Sequence, residues 1–185
     1  MESESRCLPK SDAGSPLDVV IGLGANLGSP EHALRRAAAE LSIWGAGPRI
    51  SRLYRSLPVG GPPQPDFLNA ALRFFYPGSL RSLLERLHAL EAAAGRVRVE
   101  RWGPRSLDLD ILWAGSISVT EPDLIVPHPR LRERAFALLP LLDVAPDAVD
   151  PEDGVPYATL MGTLGSAGVE ALDAAWADMF SEAFT

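Results

Sequence analysis

The order in which the apolar periodicity switches along this chain limits its fold more than any other feature. Residues 18–24 (DVVIGLG) form a continuous apolar run that ends in glycine, the pattern of a buried strand. Ser29-Pro30 then offers a side-chain oxygen for a helix N-cap and a proline for the first turn. Ala33, Leu34, Ala37, Ala38 and Leu41 follow at helical spacing, and Gly45 and Gly47 should end that helix. Residues 50–55 alternate as a strand. Residues 57–65 carry four prolines and two glycines, a stiff loop that cannot join a ladder. Residues 67–76 read as a long strand with Asn69, Ala71 and Arg73 on one face. Leu80, Leu83, Leu84, Leu87 and Leu90 mark a second helix that stops near Gly95, and residues 107–113 are again a strand. The resulting order, strand–helix–strand–strand–helix–strand, predicts a ferredoxin-like α+β fold. That is an antiparallel sheet with helices packed on both sides, three layers in all. Pro127-His128-Pro129 is expected to open a short helix to about residue 139, and residues 169–184 a last amphipathic one. The expected organisation is a flexible leader at 1–17, one domain at 18–165 and an acidic, helical extension at 166–185.

Composition narrows the chemistry. Lys10 is the only lysine among 17 basic residues, and it sits in the leader. A lysine-bearing P-loop and a Schiff-base mechanism are therefore both excluded. Any phosphate bound here must be met by arginine, backbone N–H groups or metal. The single cysteine, Cys7, excludes a disulfide framework and a multi-cysteine zinc site. No apolar run approaches a membrane span, and no secretory segment is evident, so a cytoplasmic protein that does not engage a membrane is expected. With a net charge of −7, bulk nucleic-acid binding is not expected. The acidic excess lies in residues 143–185, which hold nine acids and no basic residue, while four arginines crowd into residues 96–105.

Two charge clusters are candidates for a site. In Leu107-Asp108-Leu109-Asp110-Ile111 the two carboxylates share one strand face, roughly 6.5–7 Å apart along the chain. Like charges that close in an apolar strand call for a cation or an arginine between them. A sparse oxygen set on a rigid strand suits Mg²⁺, which draws its other ligands from water and phosphate. Taken alone, the pair reads more readily as a solvated acidic edge. The second cluster, Arg96, Arg98, Arg101 and Arg105, either binds phosphate or is a solvated basic loop. Phosphate plus metal would satisfy both clusters at once. Gly22, Gly24 and Gly28 have the wrong spacing for a dinucleotide fingerprint and read as a tight strand-to-helix turn. Phe67 and Phe136 are core residues by default, though an aromatic face can also hold a flat heterocycle whose edge Asn69 could read.

Four segments in order, GLGANLGSP, SRLYRS with PVGGPPQPDFLNAAL, GRVR with ERWGPRSLDLDIL, and VPHPRLRERAFALLPL, together resemble the 6-hydroxymethyl-7,8-dihydropterin pyrophosphokinase family. The likeness runs from about residue 19 to 172. It implies pyrophosphoryl transfer from ATP to the pterin hydroxymethyl group, with release of AMP, in folate synthesis. It implies two Mg²⁺ ions at Asp108 and Asp110, either of which would help draw the proton from the attacking hydroxyl. Arg96 and Arg105 would close on the triphosphate. ATP would be held by Glu91, Arg98, Trp102, Arg105, Ile111, His128 and Arg134. The pterin would meet Ser56, Leu57 and Val59 through backbone groups, Asn69 at its edge, and Phe67 and Phe136 at its faces. The chain departs from the family pattern at Phe67, where tyrosine is common, at Ala25 and His88, and in an arginine loop about one residue short. The alternatives are another metal-dependent phosphotransferase on the same sheet, or a non-catalytic nucleotide-binding domain. A monomer is expected.

Overall fold

The computed structural model describes residues 15–95, 103–172 and Trp176. Its main sheet is built from β1 (Leu17–Ala25), β2 (Ala46–Ile50), β3 (Tyr54–Ser56), β4 (Phe67–Tyr76), β5 (Asp108–Trp113) and, after a small β6 (Val119–Glu121) and β7 (Leu124–Val126) hairpin, β8 (Val169–Ala171). The strand order is β5-β1-β4-β3-β8, with β2 also paired to β4, and every pairing is antiparallel. This is the expected ferredoxin-like sheet, with β2 and β3 sharing one strand position.

Residue alternation along the strands creates two cores. Val19, Ile21, Leu23 and Ala25 of β1 join Ala70, Leu72 and Phe74 of β4 and Leu109 and Ile111 of β5. This face is covered by α1 (Pro30–Ser42) through Leu34, Ala37, Ala38 and Leu41, and by α2 (Leu80–Ala93) through Leu80, Leu83 and Leu87. The opposite face carries Val20, Ala71 and Leu112 against α3 (Ala135–Val144) and α4 (Tyr157–Leu164). Helices therefore cover both sides of the sheet, as expected. No described helix is long and apolar enough to cross a membrane.

Local differences from expectation have visible causes. Ser29 does occupy the N-cap of α1, but its side chain makes no capping bond. That helix ends at Ser42, before either glycine. Gly45 instead allows a close backbone approach, since a Cβ there would collide with the Phe75 carbonyl oxygen. The strand expected over 50–55 is broken because side chains replace ladder bonds. The Ala71 N–H donates to Ser51 Oγ (2.8 Å), and the Arg52 N–H to Asp143 Oδ2 (3.1 Å). The segment after Pro127 forms only a 3₁₀ turn (Leu131–Glu133), and α3 starts at Ala135 and continues through Pro140.

The C-terminal segment is corrected most. Residues 169–171 were expected to start a helix in a separate extension. They form β8 instead, because β3 presents a free edge that Val169 and Ala171 pair with, opposite Ser56 and Tyr54. The Leu172 N–H continues onto Leu53 O at 2.8 Å. Trp176, 2% exposed, packs into the α1 core and donates its Nε1–H to Ser51 O at 2.9 Å. The flexible leader expected at 1–17 lies mostly outside the described residues.

Candidate active site

One pocket opens on the α3 face of the sheet, and strand register sets its floor. Gly24 of β1 lies opposite Asn69 of β4 on one side and Asp108 of β5 on the other; Gly22 lies opposite Ala71 and Asp110. Lacking side chains, the two glycines leave a trough between the amide and the carboxylates. A Cβ on Gly24 would stand 3.7 Å from Asn69 Oδ1 and 3.8 Å from Asp108 Cβ. The pocket encloses ≈ 930 Å³ of empty volume, part of it open solvent.

The wall on the β4 side is apolar with one buried amide. Phe67 and Phe136 both line the pocket and are half-buried, so neither is spent on the core. Asn69, 6% exposed, donates from Nδ2 to Ser56 Oγ at 2.9 Å, which fixes its orientation. Leu57 and Val59 of the proline loop reach the pocket and remain 61% and 62% exposed.

The other wall is ionic. Asp108, Asp110, Arg105, Arg130, Arg134 and His128 all line it. Arg105 pairs directly with Asp108. Burial first, then the neighbouring charges of Asp108 and Glu91, push Asp110 up to about 6. Burial and then Arg130 lower Arg134 from its usual value, and its guanidinium lies 5.5 Å from the Phe136 ring centre. Burial and Arg134 push His128 down to about 4, so it is neutral at pH 7. The Arg130 N–H donates to His128 Nδ1 at 3.1 Å, which leaves the imidazole proton on Nε2 as a donor. Three arginines crowded on one wall, with the positive charge of Arg134 disfavoured by burial, make a site that gains from an anion.

The carboxylates also fit a hard cation. Asp108 and Asp110 point the same way from a rigid strand, and their repulsion contributes to the raised Asp110 value. Among the described residues no third acid, histidine or cysteine completes a protein-only metal cluster. Two carboxylates beside an anion site could hold a hard divalent cation that takes its remaining oxygen ligands from water and phosphate.

Comparison with known proteins decides the family. The profile of 7,8-dihydro-6-hydroxymethylpterin-pyrophosphokinase (HPPK) matches residues 20–146. The chain belongs to the HPPK family. It is 43% identical over 138 residues to the 2-amino-4-hydroxy-6-hydroxymethyldihydropteridine pyrophosphokinase of Synechocystis, covering 73% of this chain and 70% of that one. It is 39% identical over 162 residues to the Pseudomonas aeruginosa protein of the same name, covering 85% and 98%. The solved Plasmodium falciparum HPPK-DHPS wild type with SDX-DHP shares the fold at a TM-score of 0.59 and 14% identity. The match covers 80% of this chain and 43% of that longer one.

Most of the residues expected at an HPPK site converge here: Ser56, Leu57, Val59, Phe67, Asn69, Arg105, Asp108, Asp110, His128, Arg134 and Phe136 all line the pocket. Two do not. Ile111 points into the α1/α2 core, because alternation along β5 sends it away from Asp108 and Asp110. Glu91 is 2% exposed in α2, and its Oε1 accepts the Leu109 N–H at 2.8 Å, anchoring helix to strand beneath the site. Arg96, Arg98 and Trp102 lie outside the described residues. The sequence reading missed Gly22 and Gly24 as the pocket floor and Arg130 as a third cation. Part of the signal for the glycines was present, since two residues apart on one strand they share a face; that it is the Asp108/Asp110 face follows from the register.

Proposed function

We propose that this pyrophosphokinase binds the pterin between Phe67, Phe136 and Asn69, and ATP against Arg105, His128, Arg130 and Arg134, with magnesium held by Asp108 and Asp110. The observation that carries the reading is the register across β1. It sets Asn69 on one side of a glycine trough and the Asp108 and Asp110 carboxylates on the other, and Phe67, Phe136, Arg105 and Arg134 line the same pocket. That arrangement brings a flat heterocycle and a polyphosphate to the same spot.

The hydroxymethyl oxygen of the pterin attacks the β-phosphorus of ATP. A new O–P bond forms, the bond from the β-phosphorus to the α-phosphate oxygen breaks, and AMP leaves. Bound magnesium supplies neutralisation of the charge that builds on the transferring group. Arg105 and Arg134 hold the phosphates by forked hydrogen bonds, and His128 donates from Nε2. Asn69 and the two rings fix the pterin in place, so binding is converted into alignment for attack. Asp110 or Asp108, on the rim of the same trough, would take the proton released by the hydroxyl.

The test is an assay of the purified protein with ATP and 6-hydroxymethyl-7,8-dihydropterin, read as AMP. AMP is expected in proportion to pterin consumed, and chelation of magnesium should stop it. ADP in place of AMP, or AMP release independent of pterin, would overturn the assignment. Undiminished turnover in excess chelator would remove the metal.

A further inference from the structure

We propose that Asn26 is a positioning residue that ties the pterin-side loop to the phosphate-side segment, so that the two halves of the site are held as one unit. The proposal rests on the pocket assignment above and adds a residue outside the pocket lining.

Asn26 directly follows β1 and is 4% exposed. Its backbone N–H and both ends of its carboxamide are engaged. Its backbone N–H donates to Arg105 O at 2.9 Å, and its Oδ1 accepts the Arg105 N–H at 2.7 Å. Its Nδ2 donates to Gln64 Oε1 and to Pro65 O, both at 3.0 Å. One carboxamide therefore clamps the backbone of Arg105 with one end and the proline loop with the other. Arg105 is the residue that pairs with Asp108, and Gln64 lines the pocket next to Leu57 and Val59.

The chemistry needs this side chain. An acceptor is required toward Arg105 and two N–H donors toward the loop, a combination that a carboxamide supplies and a carboxylate or hydroxyl does not. The two segments are 38–39 residues from Asn26 on one side and 79 on the other, so the tie is tertiary. Loop 57–65 takes no part in the ladder and carries its own rigidity, so an anchor at its far end fixes the whole loop against β1. A displacement of Gln64 and Pro65 is passed through Asn26 to Arg105.

Steady-state kinetics on three variants test this. Asn26→Ala should raise KM for both substrates and lower kcat, each by about tenfold, the scale of a buried polar contact left unmade. Asn26→Asp keeps the acceptor toward Arg105 but faces Pro65 O without a donor, whereas Gln64 can turn its amide to donate to the new carboxylate. It should raise the pterin KM about tenfold while leaving the ATP KM within about twofold. Gln64→Leu should raise the pterin KM about threefold, because the bond to Pro65 O remains. A residue that only supports the fold would lower the active fraction, and so kcat, with both KM values unchanged; that result overturns the proposal. So does an Asn26→Asp variant in which both KM values rise equally. If the Asn26 variants give no cooperative melt, an unchanged pterin KM in Gln64→Leu overturns it. Failure of the underlying reading shows separately, as wild-type protein that forms no pterin-dependent AMP.

Discussion

Replacing Gly24 with alanine should separate stability from activity in opposite directions. Gly24 lies within β1 and is not among the glycines with positive φ, so alanine adopts its backbone without strain. The added Cβ would meet Asn69 Oδ1 at 3.7 Å and Asp108 Cβ at 3.8 Å, ordinary contact distances. Alanine also restricts the unfolded chain, which stabilises a compatible site by about 0.4–1 kcal/mol. For a protein of this size that raises Tm by roughly 1–4 °C. The same methyl stands in the trough proposed above as the meeting place of pterin and phosphates. A displacement of about 1 Å between reacting groups costs on the order of 10²-fold, so kcat/KM for the pterin should fall by about that factor. Gly22→Ala is the contrasting control. Its Cβ would lie 3.0 Å from three atoms of the buried Leu112 side chain, so overpacking of about 1–3 kcal/mol should lower Tm. Thermal melts and steady-state AMP formation measure both. Gly24→Ala with raised Tm and undiminished kcat/KM would refute the claim that the glycine trough is where the substrates meet.

Asp110→Ala should abolish AMP formation and magnesium-dependent ATP binding without lowering Tm, since it relieves repulsion with Asp108; wild-type-like turnover would sink the metal assignment. Asp143→Ala should cost about 1–3 kcal/mol, because Asp143 accepts from Tyr54 Oη (2.8 Å) and from Arg52 (Nε at 3.1 Å and Nη2 at 2.8 Å); an unchanged urea midpoint would contradict this. Burial raises the Asp143 carboxyl, but those hydrogen bonds outweigh it and hold it below its ordinary value. Its contribution is therefore complete above the ordinary carboxylate range and is lost as pH falls through the depressed value, so the wild-type advantage over Asp143→Asn should shrink in acid. Trp176→Ala should cost about 3–5 kcal/mol, as for a large buried aromatic, and a loss under about 1 kcal/mol would show that the C-terminal segment is not part of the core.

The elements legible from sequence are those whose periodicity is long and cleanly ended. The strand over 67–76 and the helix from Leu80 were read at their true positions, because a ten-residue apolar-rich run ended by Pro77-Gly78 and three turns of leucines at helical spacing leave little room for another period. Where reading failed, a tertiary partner had replaced a local preference. Ser51 Oγ takes a ladder bond, and Asp143, 91 residues away, takes the Arg52 N–H, so a plausible strand is cut in two. Pro140 sits inside α3, where burial of Leu138, Leu141 and Val144 against the sheet outweighs the missing backbone donor. Residues 169–171 open a stripe at helical spacing that runs over 169–184, yet the open edge of β3 offered them backbone partners that no local pattern announces.

The site was legible as chemistry before it was legible as a place. Alternation alone put Asp108 and Asp110 on one face, but only register showed that Asn69 lies across Gly24 from Asp108. Register also explains how such a charged wall is tolerated. Arg105 already pairs with Asp108, and Arg134 lies in the field of both carboxylates. Delivering a metal to the acids and phosphates to the arginines therefore exchanges one set of ion pairs for another. It does not strip water from bare charges, the step that usually makes buried ions costly. Three guanidinium groups face two carboxylates, so the exchange leaves the wall in need of more negative charge than positive. A polyphosphate carrying more charge than its metal offsets has that balance, and a free metal ion does not.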